Sequence, residues 1–308
     1  MNENFNMLIS KLLEYSELKS LRLDIAKQLF FNYLKTKNNC DTIKYYENIF
    51  YRIDKFLSKH SITETKEIND NLLLQLITEC QNENLSSNYI NKLVKALKYM
   101  IKVLSELGYI NSVEFKIKKL SEVENRIDSI DTDTLLKILE FIKTRSIRTR
   151  LIVLLLLATG VRRKELVNIK LENIDLASNS IILETTKTKV LRTCFITEEL
   201  NILINEYINQ YKPAYYLFEK GPYVSLDPRS ITKVLDKIKV CLNLEKLSAH
   251  QFRHTFGTCI YDSSLDIELT RVLLGHSSYN MTRRYIHNSK QKLKDKYNEC
   301  NPLVKYHV

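Results

Sequence analysis

The stretch LSAHQFRHTFG, residues 247–257, places two histidines and an arginine at spacings that suit three kinds of site. His250 and His254 stand four residues apart, so on a helix they share one face, as the histidine pairs of zinc sites do. The intervening Arg253 is instead typical of a phosphate site, because a guanidinium binds phosphate oxygens in pairs and an imidazole transfers protons near neutral pH. The third interpretation is a helix that merely contains two histidines.

Three features of this stretch argue against a metal. Gln251 stands where the HExxH zinc pattern has glutamate. No nearby carboxylate or cysteine supplies a third ligand, and Arg253 puts a permanent positive charge beside the two histidines. We therefore predict neither a metal nor another cofactor, and we prefer the phosphate interpretation.

A second segment, TGVRRKEL at 159–166, supplies another half of a phosphate clamp. Arg162 follows Gly160 at the end of an apolar run, and Glu165 comes one helical turn later. A carboxylate at that spacing can orient the guanidinium. An arginine in such a charged stretch is otherwise a solvated surface residue.

The third segment is LLGHSSYNMTRRYIH, 273–287. His276 follows Gly275, and Tyr285 comes nine residues later, after two arginines. A tyrosine oxygen can attack phosphorus, and nearby positive charge stabilises the phenolate. The segment therefore contains a candidate nucleophile, although a tyrosine in a basic loop is usually only structural.

The elements that must position these residues are mainly helices. Scarce glycine and proline, five and four residues, favour long uninterrupted elements. Apolar periodicity predicts helices at 21–36, 41–60, 67–81, 88–107, 131–144, 151–158, 197–211, 228–244, 248–264 and 266–278. Two β-rich runs around a lysine-bearing turn at 180–197 predict an antiparallel hairpin. The helix at 88–107 has a lysine face, which is either a solvated surface or a phosphate-contacting one: Lys92, Lys95, Lys98 and Lys102.

Composition points to a polyanion partner. The chain has 47 Lys and Arg against 36 Asp and Glu, a net charge of +11. Such a surplus favours nucleic acid or an acidic membrane surface. The longest apolar run, 151–158, is far short of the roughly 20 residues of a membrane span. Six widely spaced cysteines without a CxxC pair and no visible signal peptide indicate a cytoplasmic protein.

Taken in order, GVRRKE, TKTKVLR, HQFRH, LLGH and the tyrosine nine residues later resemble the tyrosine recombinases of the phage integrase family. The resemblance spans about residues 130–290. It implies a two-domain, mainly α protein with a small antiparallel sheet, of the Xer type and without an arm-binding domain. The expected parts are an N-terminal extension at 1–18, a helical core-binding domain at 19–108, a linker at 109–128, a catalytic domain at 129–290 and a tail at 291–308.

The resemblance also assigns roles, motif by motif. Arg162 and Arg253 match the two catalytic arginines, and Glu165 matches the acidic residue that supports them. Lys187 matches the hairpin lysine, with Lys189 as the alternative. His250 matches the H-x-x-R histidine, which would assist proton transfer at the nucleophile. His276 matches the LGH histidine, and Tyr285 matches the nucleophile. His254 is interpreted as a structural helix residue.

The function implied is site-specific DNA recombination through a 3′-phosphotyrosyl intermediate, for integration, excision or resolution of DNA elements. The implied partners are double-stranded DNA with inverted-repeat core sites, a homotetramer on two duplexes whose tails dock onto neighbouring subunits, and accessory proteins or a second recombinase. A topoisomerase or a telomere resolvase would use the same chemistry. A non-catalytic DNA-binding protein with this fold is the third alternative, and the intact catalytic set argues against it.

Overall fold

The chain divides into two compact units, Met1–Glu124 and Asn125–Val308. The computed structural model describes residues 20–38, 40–121, 128–184 and 191–286, together with residue 294. Within those ranges, every helix is too short or too polar to cross a membrane. The predicted N-terminal extension and the tail, apart from residue 294, lie outside the described residues.

The first unit is built from four amphipathic helices, close to the bounds that the apolar periodicity predicts. They are α1 (Leu23–Lys37), α2 (Cys40–Lys59), α3 (Asp70–Asn82) and α4 (Ser87–Glu106), with a 3₁₀ turn at Thr65–Glu67. The apolar faces meet in one core, in which Phe30, Ile53 and Leu97 are fully buried. Side chains cap two helices: Asn69 accepts from Leu72 N–H at α3, and Ser86 accepts from Tyr89 N–H at α4.

The chain that follows α4 lies along the first unit. The Asp70 carboxylate accepts hydrogen bonds from two consecutive backbone N–H groups, the second of which belongs to Ile117. The Asn91 amide both donates to and accepts from the backbone of Leu120, at 3.0 and 2.9 Å. The first part of the predicted linker, 109–128, is thus fixed to α3 and α4.

In the second unit, helices and short strands surround a buried central helix. The helices are α5 (Thr132–Lys143), α6 (Ile147–Thr159), α7 (Arg163–Val167), α8 (Glu198–Tyr211), α9 (Pro228–Cys241), α10 (Ala249–Ser264), α11 (Ile267–Leu274) and α12 (Tyr279–Thr282), with 3₁₀ turns at Leu171–Asn173 and Arg283–Tyr285. The apolar run of the sequence forms α6, whose Leu151, Ile152 and Leu155 are fully buried. This explains why the run is apolar on all sides.

The antiparallel sheet confirms the predicted hairpin. Its strands are β1 (Ile174–Asp175), β2 (Ser180–Glu184) and β3 (Leu191–Phe195), in the order β1-β2-β3. Ile182 pairs with Thr193, and alternate residues of each strand face the core. The turn at 185–190 lies outside the described residues. A three-residue and a two-residue strand, β4 (Glu219–Gly221) and β5 (Val224–Ser225), form a second ribbon that the sequence did not predict.

Gly160 ends α6 and gives the next segment its direction. Its φ of 57° is in the left-handed region, which glycine adopts without a steric cost. A Cβ at this position would also lie 2.6 Å from Cδ1 of Phe256 on α10. The residue therefore permits both a sharp turn and a close approach of α10, and α7 starts three residues later.

Candidate active site

A buried arginine joins the ends of two helices at the site. The side chain of Arg253 donates from Nη1 to the Gly160 carbonyl and from Nη2 to the Leu274 carbonyl, both at 2.6 Å. These are the carbonyls at the ends of α6 and α11, so the guanidinium holds the segments that carry Arg162 and His276. Arg253 is only 3% exposed. Burial, together with the positive charges of neighbouring arginines, lowers the pKa of Arg253 to about 9, so the group remains charged at neutral pH.

A buried carboxylate links two more arginines. Glu165 accepts from Arg162 at both its backbone N–H, 3.0 Å, and Nη1, 2.7 Å. Its second oxygen also accepts from Nη2 of Arg192 at 3.2 Å. Burial acts to raise the pKa of Glu165, but the Arg162 backbone N–H and the two guanidinium charges outweigh it, and the net pKa is lowered. The carboxylate is therefore ionised, and it orients the partly exposed side chain of Arg162 as the sequence predicts.

Arg192, on β3, is a supporting residue that the sequence interpretation missed. Its Nη1 donates to the Leu273 carbonyl on α11 and to Cys194 Sγ. Its aliphatic chain lies directly against Gly275, where a Cβ would collide with it. Arg192 therefore connects Glu165 to the turn that precedes His276. The only sequence signal is an arginine in a strand otherwise rich in apolar and small residues.

The Tyr285 side chain is buried between α10 and the turn after α11. It is 2% exposed, and its hydroxyl lies 3.0 Å from Nδ1 of His254. The ring covers Gly257, where a Cβ would lie 2.7 Å from Cζ. Burial raises the pKa of Tyr285 more than the nearby arginines lower it, so the hydroxyl keeps its proton at neutral pH.

His276 stacks on the tyrosine. The two rings are 6.3 Å apart with an interplanar angle of 14°. Nδ1 of His276 is hydrogen-bonded to Oγ1 of Thr282 at 2.8 Å. Burial, then the charges of Arg253 and Arg162, lower the pKa of His276 to about 3, so the ring is neutral at neutral pH.

The two histidines of HQFRH have different surroundings in the structure, and the one that contacts the predicted nucleophile is not the one that the sequence predicts. His250 is exposed on the first turn of α10, with its ring 5.9 Å from that of His254. His254, not His250, is the hydrogen-bonding partner of the Tyr285 hydroxyl in the structure. The sequence predicts His254 only as a structural helix residue, and the structure adds this direct contact with the predicted nucleophile. Although His250 is exposed, partial desolvation of its ring, followed by the positive charges of nearby arginines, lowers its pKa.

The other predicted site residues are lysines of the hairpin turn and of α4. Lys187 and Lys189 belong to the turn outside the described residues. In the first unit, Lys92 and Lys95 are exposed on α4. Lys98 is instead partly buried, donates to the Ile117 carbonyl at 2.7 Å and lies over the Phe115 ring. The fourth lysine, Lys102, forms an exposed ion pair with Glu106.

The arrangement is suited to anionic chemistry. Across the described ranges, there is no group of three or more histidine, cysteine or carboxylate side chains placed to hold a metal ion. Arg162 and Arg253 surround the tyrosine closely enough to shift its pKa and that of His276. Fixed positive charges beside a hydroxyl nucleophile can stabilise the extra negative charge of a phosphoryl transition state.

Comparison with known proteins gives a consistent result. Residues 128–292 match the phage integrase family. The chain is 27% identical over 290 residues to tyrosine recombinase XerA of Pyrococcus furiosus, with 92% of this chain and 96% of that protein covered. It is also 27% identical over 301 residues to tyrosine recombinase XerC of Staphylococcus aureus, covering 91% and 97% of the two chains.

Solved structures share the fold. The integrase of transposon Tn1549, in complex with circular intermediate DNA, superposes with a TM-score of 0.73 at 17% identity and covers 89% of this chain and 99% of that one. The XerH site-specific recombinase bound to its difH substrate gives a TM-score of 0.62 at 22% identity, with 76% and 71% covered. Both likenesses concern the helical fold with its small antiparallel sheets.

Proposed function

The chain belongs to the phage integrase family and is a tyrosine-type site-specific recombinase, and on that premise we propose that Tyr285 is the residue that joins it to DNA. This assignment of the nucleophile rests on the environment of the Tyr285 hydroxyl. It lies in a buried site lined by His254 and His276 and within the field of Arg253 and Arg162.

In the proposed cleavage step, Oη of Tyr285 attacks the phosphorus of a DNA phosphodiester. The Oη–P bond forms, the P–O5′ bond breaks, and the tyrosine loses its proton. The O5′ leaving group takes a proton, which we assign to Lys187 on the family resemblance. One strand end is left as a 3′-phosphotyrosine and the other as a 5′-hydroxyl. Attack by the 5′-hydroxyl of another strand reverses the step and rejoins the DNA.

The two arginines would stabilise the transition state. Arg162 is the more accessible of the two. Its backbone N–H and its Nη1 both donate to Glu165, which fixes the orientation of the guanidinium. Arg253 is buried, and its charge acts on the Tyr285 hydroxyl. Because these charges are fixed before DNA arrives, little reorganisation is needed when negative charge develops on the phosphoryl oxygens.

The histidines would contact phosphoryl oxygens. His276 is neutral, so it can donate from Nε2–H only if Nδ1 accepts the Thr282 hydroxyl hydrogen, and the 2.8 Å contact suits that tautomer. His250 is exposed beside the same face of α10, which suits a group that meets the DNA. We therefore propose that His250 contacts the phosphate during catalysis, rather than the nucleophile.

We infer that the partner is double-stranded DNA, consistent with the DNA-bound relatives of this fold. On the first unit, Lys92 and Lys95 are free to approach phosphates, whereas Lys98 already binds the chain after α4. Such contacts would position the duplex without reading its sequence. From the family resemblance we also propose inverted-repeat target sites, a homotetramer and docking of the tail 291–308 on neighbouring subunits. The same resemblance is the basis for proposing accessory proteins and a cytoplasmic location.

Covalent trapping tests the proposed function. The protein is incubated with DNA from its host and denatured, and the DNA ends still attached to protein are sequenced. Wild type should give adducts at a few inverted-repeat sites, and Tyr285→Phe should give none. Tyr279→Phe is the matched control, because it removes an exposed hydroxyl six residues away.

The other outcomes correspond to the alternative functions. Adducts scattered without a preferred sequence indicate a topoisomerase, and hairpin products indicate a telomere resolvase. DNA that binds without any adduct indicates a non-catalytic binding protein. Adducts that persist in Tyr285→Phe contradict the assignment of the nucleophile.

A further inference from the structure

The hydroxyl of Tyr285 has a basic partner that the motif-based assignment leaves without a role. His254 Nδ1 lies 3.0 Å from the hydroxyl oxygen, and the two ring centroids are 5.9 Å apart. That distance is within the reach required of a general base. His250, one turn earlier on α10, is exposed and is not bonded to the hydroxyl.

The charges around His254 keep its nitrogen available. From α10 itself, His250 and Arg253 act on the ring, and Arg284 acts from the 3₁₀ turn after α12. Asp128, before α5, supplies the opposing negative charge. Burial and the positive groups dominate and lower the pKa of His254 to about 4. The ring is therefore neutral at neutral pH, and its Nδ1 lone pair can accept the tyrosine hydrogen.

The Asp128 carboxylate is itself held in place. It accepts from Nε2 of Gln251 at 3.2 Å and is ion-paired with Lys246. Gln251 lies on α10 in the turn that also carries His254, so this negative charge is fixed relative to the ring. Any positive charge that develops on His254 would meet a fixed counter-charge.

We propose that His254 is the catalytic base of this recombinase, accepting the Tyr285 proton during cleavage and returning it during rejoining. The inference rests on the proposed role of Tyr285 as nucleophile. As the Oη–P bond forms, the O–H bond breaks and the proton moves to Nδ1, which leaves an imidazolium beside the negative phosphoryl group. When a 5′-hydroxyl later displaces Tyr285, the imidazolium gives the proton back to Oη.

Two substitutions separate proton transfer from simple positioning. His254→Asn keeps a hydrogen-bond acceptor near the Nδ1 position but cannot take up a proton, whereas His254→Ala removes both functions. The probe is a nicked duplex carrying the sequence recovered by trapping, on which adduct accumulates because the cut strand diffuses away. Both variants should form adduct about 10²-fold more slowly than wild type. Imidazole in the buffer should partly restore His254→Ala.

The pH dependence gives a second readout. With an internal base that stays neutral, the wild-type cleavage rate should be flat between about pH 6 and pH 9. In His254→Asn, hydroxide must ionise Tyr285, so the rate should rise about tenfold per pH unit over that range. A wild-type rate that rises in this way overturns the proposal without any variant, so misfolding of a variant does not decide the matter.

The remaining outcomes are distinct. A wild-type rate in His254→Asn means that the ring only positions the hydroxyl, and faster cleavage by His254→Ala means that it restrains the nucleophile. Either result overturns the inference and leaves the proposed function intact. If wild type itself forms no Tyr285-dependent adduct, the proposed function fails first.

Discussion

Replacing Glu165 with glutamine removes the charge that joins two arginines of the site. The carboxylate accepts three hydrogen bonds: from the backbone and Nη1 of Arg162, at 3.0 and 2.7 Å, and from Nη2 of Arg192, at 3.2 Å. The Glu165 side chain has no exposed surface. Glutamine has nearly the same shape but only one acceptor oxygen, and its amide nitrogen is a donor. In either amide orientation, at least one arginine N–H group therefore faces another donor.

The expected cost follows from these contacts. A hydrogen bond to a charged group contributes about 1.5–3 kcal/mol. The buried guanidinium of Arg192 also loses its counter-charge, and breaking a buried ion pair from one side costs about 3–5 kcal/mol. We expect Glu165→Gln to lose about 3–5 kcal/mol of stability. Because Arg162 is then less fixed, adduct formation should fall about 10- to 100-fold.

Urea unfolding at several pH values measures the effect. Folding lowers the pKa of Glu165, so the carboxylate stabilises the folded state above its ordinary pKa, near 4.5, and this stability is lost as pH falls through the lowered value. The difference between wild type and Glu165→Gln should thus be full at neutral pH and shrink in acid.

Glu172→Gln is the matched control for the same loss of charge. Its side chain is 60% exposed, so its stability should stay within about 0.5 kcal/mol of wild type. If Glu165→Gln unfolds at the same urea concentration as wild type at neutral pH, the carboxylate does not hold the two arginines and the reasoning is refuted.

Four further substitutions test other parts of the protein. Gly257→Ala should slow adduct formation at least tenfold while the fold survives, because the new Cβ would lie 2.7 Å from the Tyr285 ring. Arg192→Lys should lower the free energy of unfolding by about 2–3 kcal/mol, since one ammonium cannot replace a guanidinium that binds three groups. In DNA-binding titrations at several salt concentrations, Lys92→Gln should reduce the salt slope by about 1, whereas Lys98→Gln should not, because that ammonium is already bound.

Each of these predictions has its own contrary result. Gly221→Ala is the control for the first, since a Cβ there has no atom within 4 Å, and equal rates for both alanine variants would contradict the close contact at Tyr285. If Arg192→Lys were as stable as wild type, the three contacts of the buried guanidinium would make no measurable contribution to the free energy of unfolding. Equal salt slopes for the two lysine variants would remove the distinction between them.

Much of the helical framework could be predicted from the sequence because apolar periodicity reports directly on burial. The run at 151–158 is apolar on all sides because α6 is surrounded by the rest of the second unit. The β4–β5 ribbon was missed because strands of three and two residues, Glu219–Gly221 and Val224–Ser225, are too short to show an alternating pattern. The contacts of residues 116 and 120 with Asp70 and Asn91 could not be predicted, since these partners lie far away in sequence.

The types of site residue could also be predicted, but not every contact between them. His250 and His254 share a helix face and differ by about 6 Å in height along the helix. Which of them meets the nucleophile depends on where Tyr285, thirty-one residues later, lies against α10. Arg192 was missed for the same reason, because its hydrogen bond to Glu165 connects β3 to α7, which are distant in sequence. Tertiary packing, rather than local pattern, decides both contacts.

The most direct test of the central claim is to identify the amino acid that carries the DNA. Trapped adducts are digested with protease and nuclease, and the modified peptide is sequenced by mass spectrometry. We predict a nucleotide bound through its 3′-phosphate to Tyr285, in the peptide that contains residues 283–286. A nucleotide on any other residue, or bound through its 5′-phosphate, would contradict the proposed mechanism.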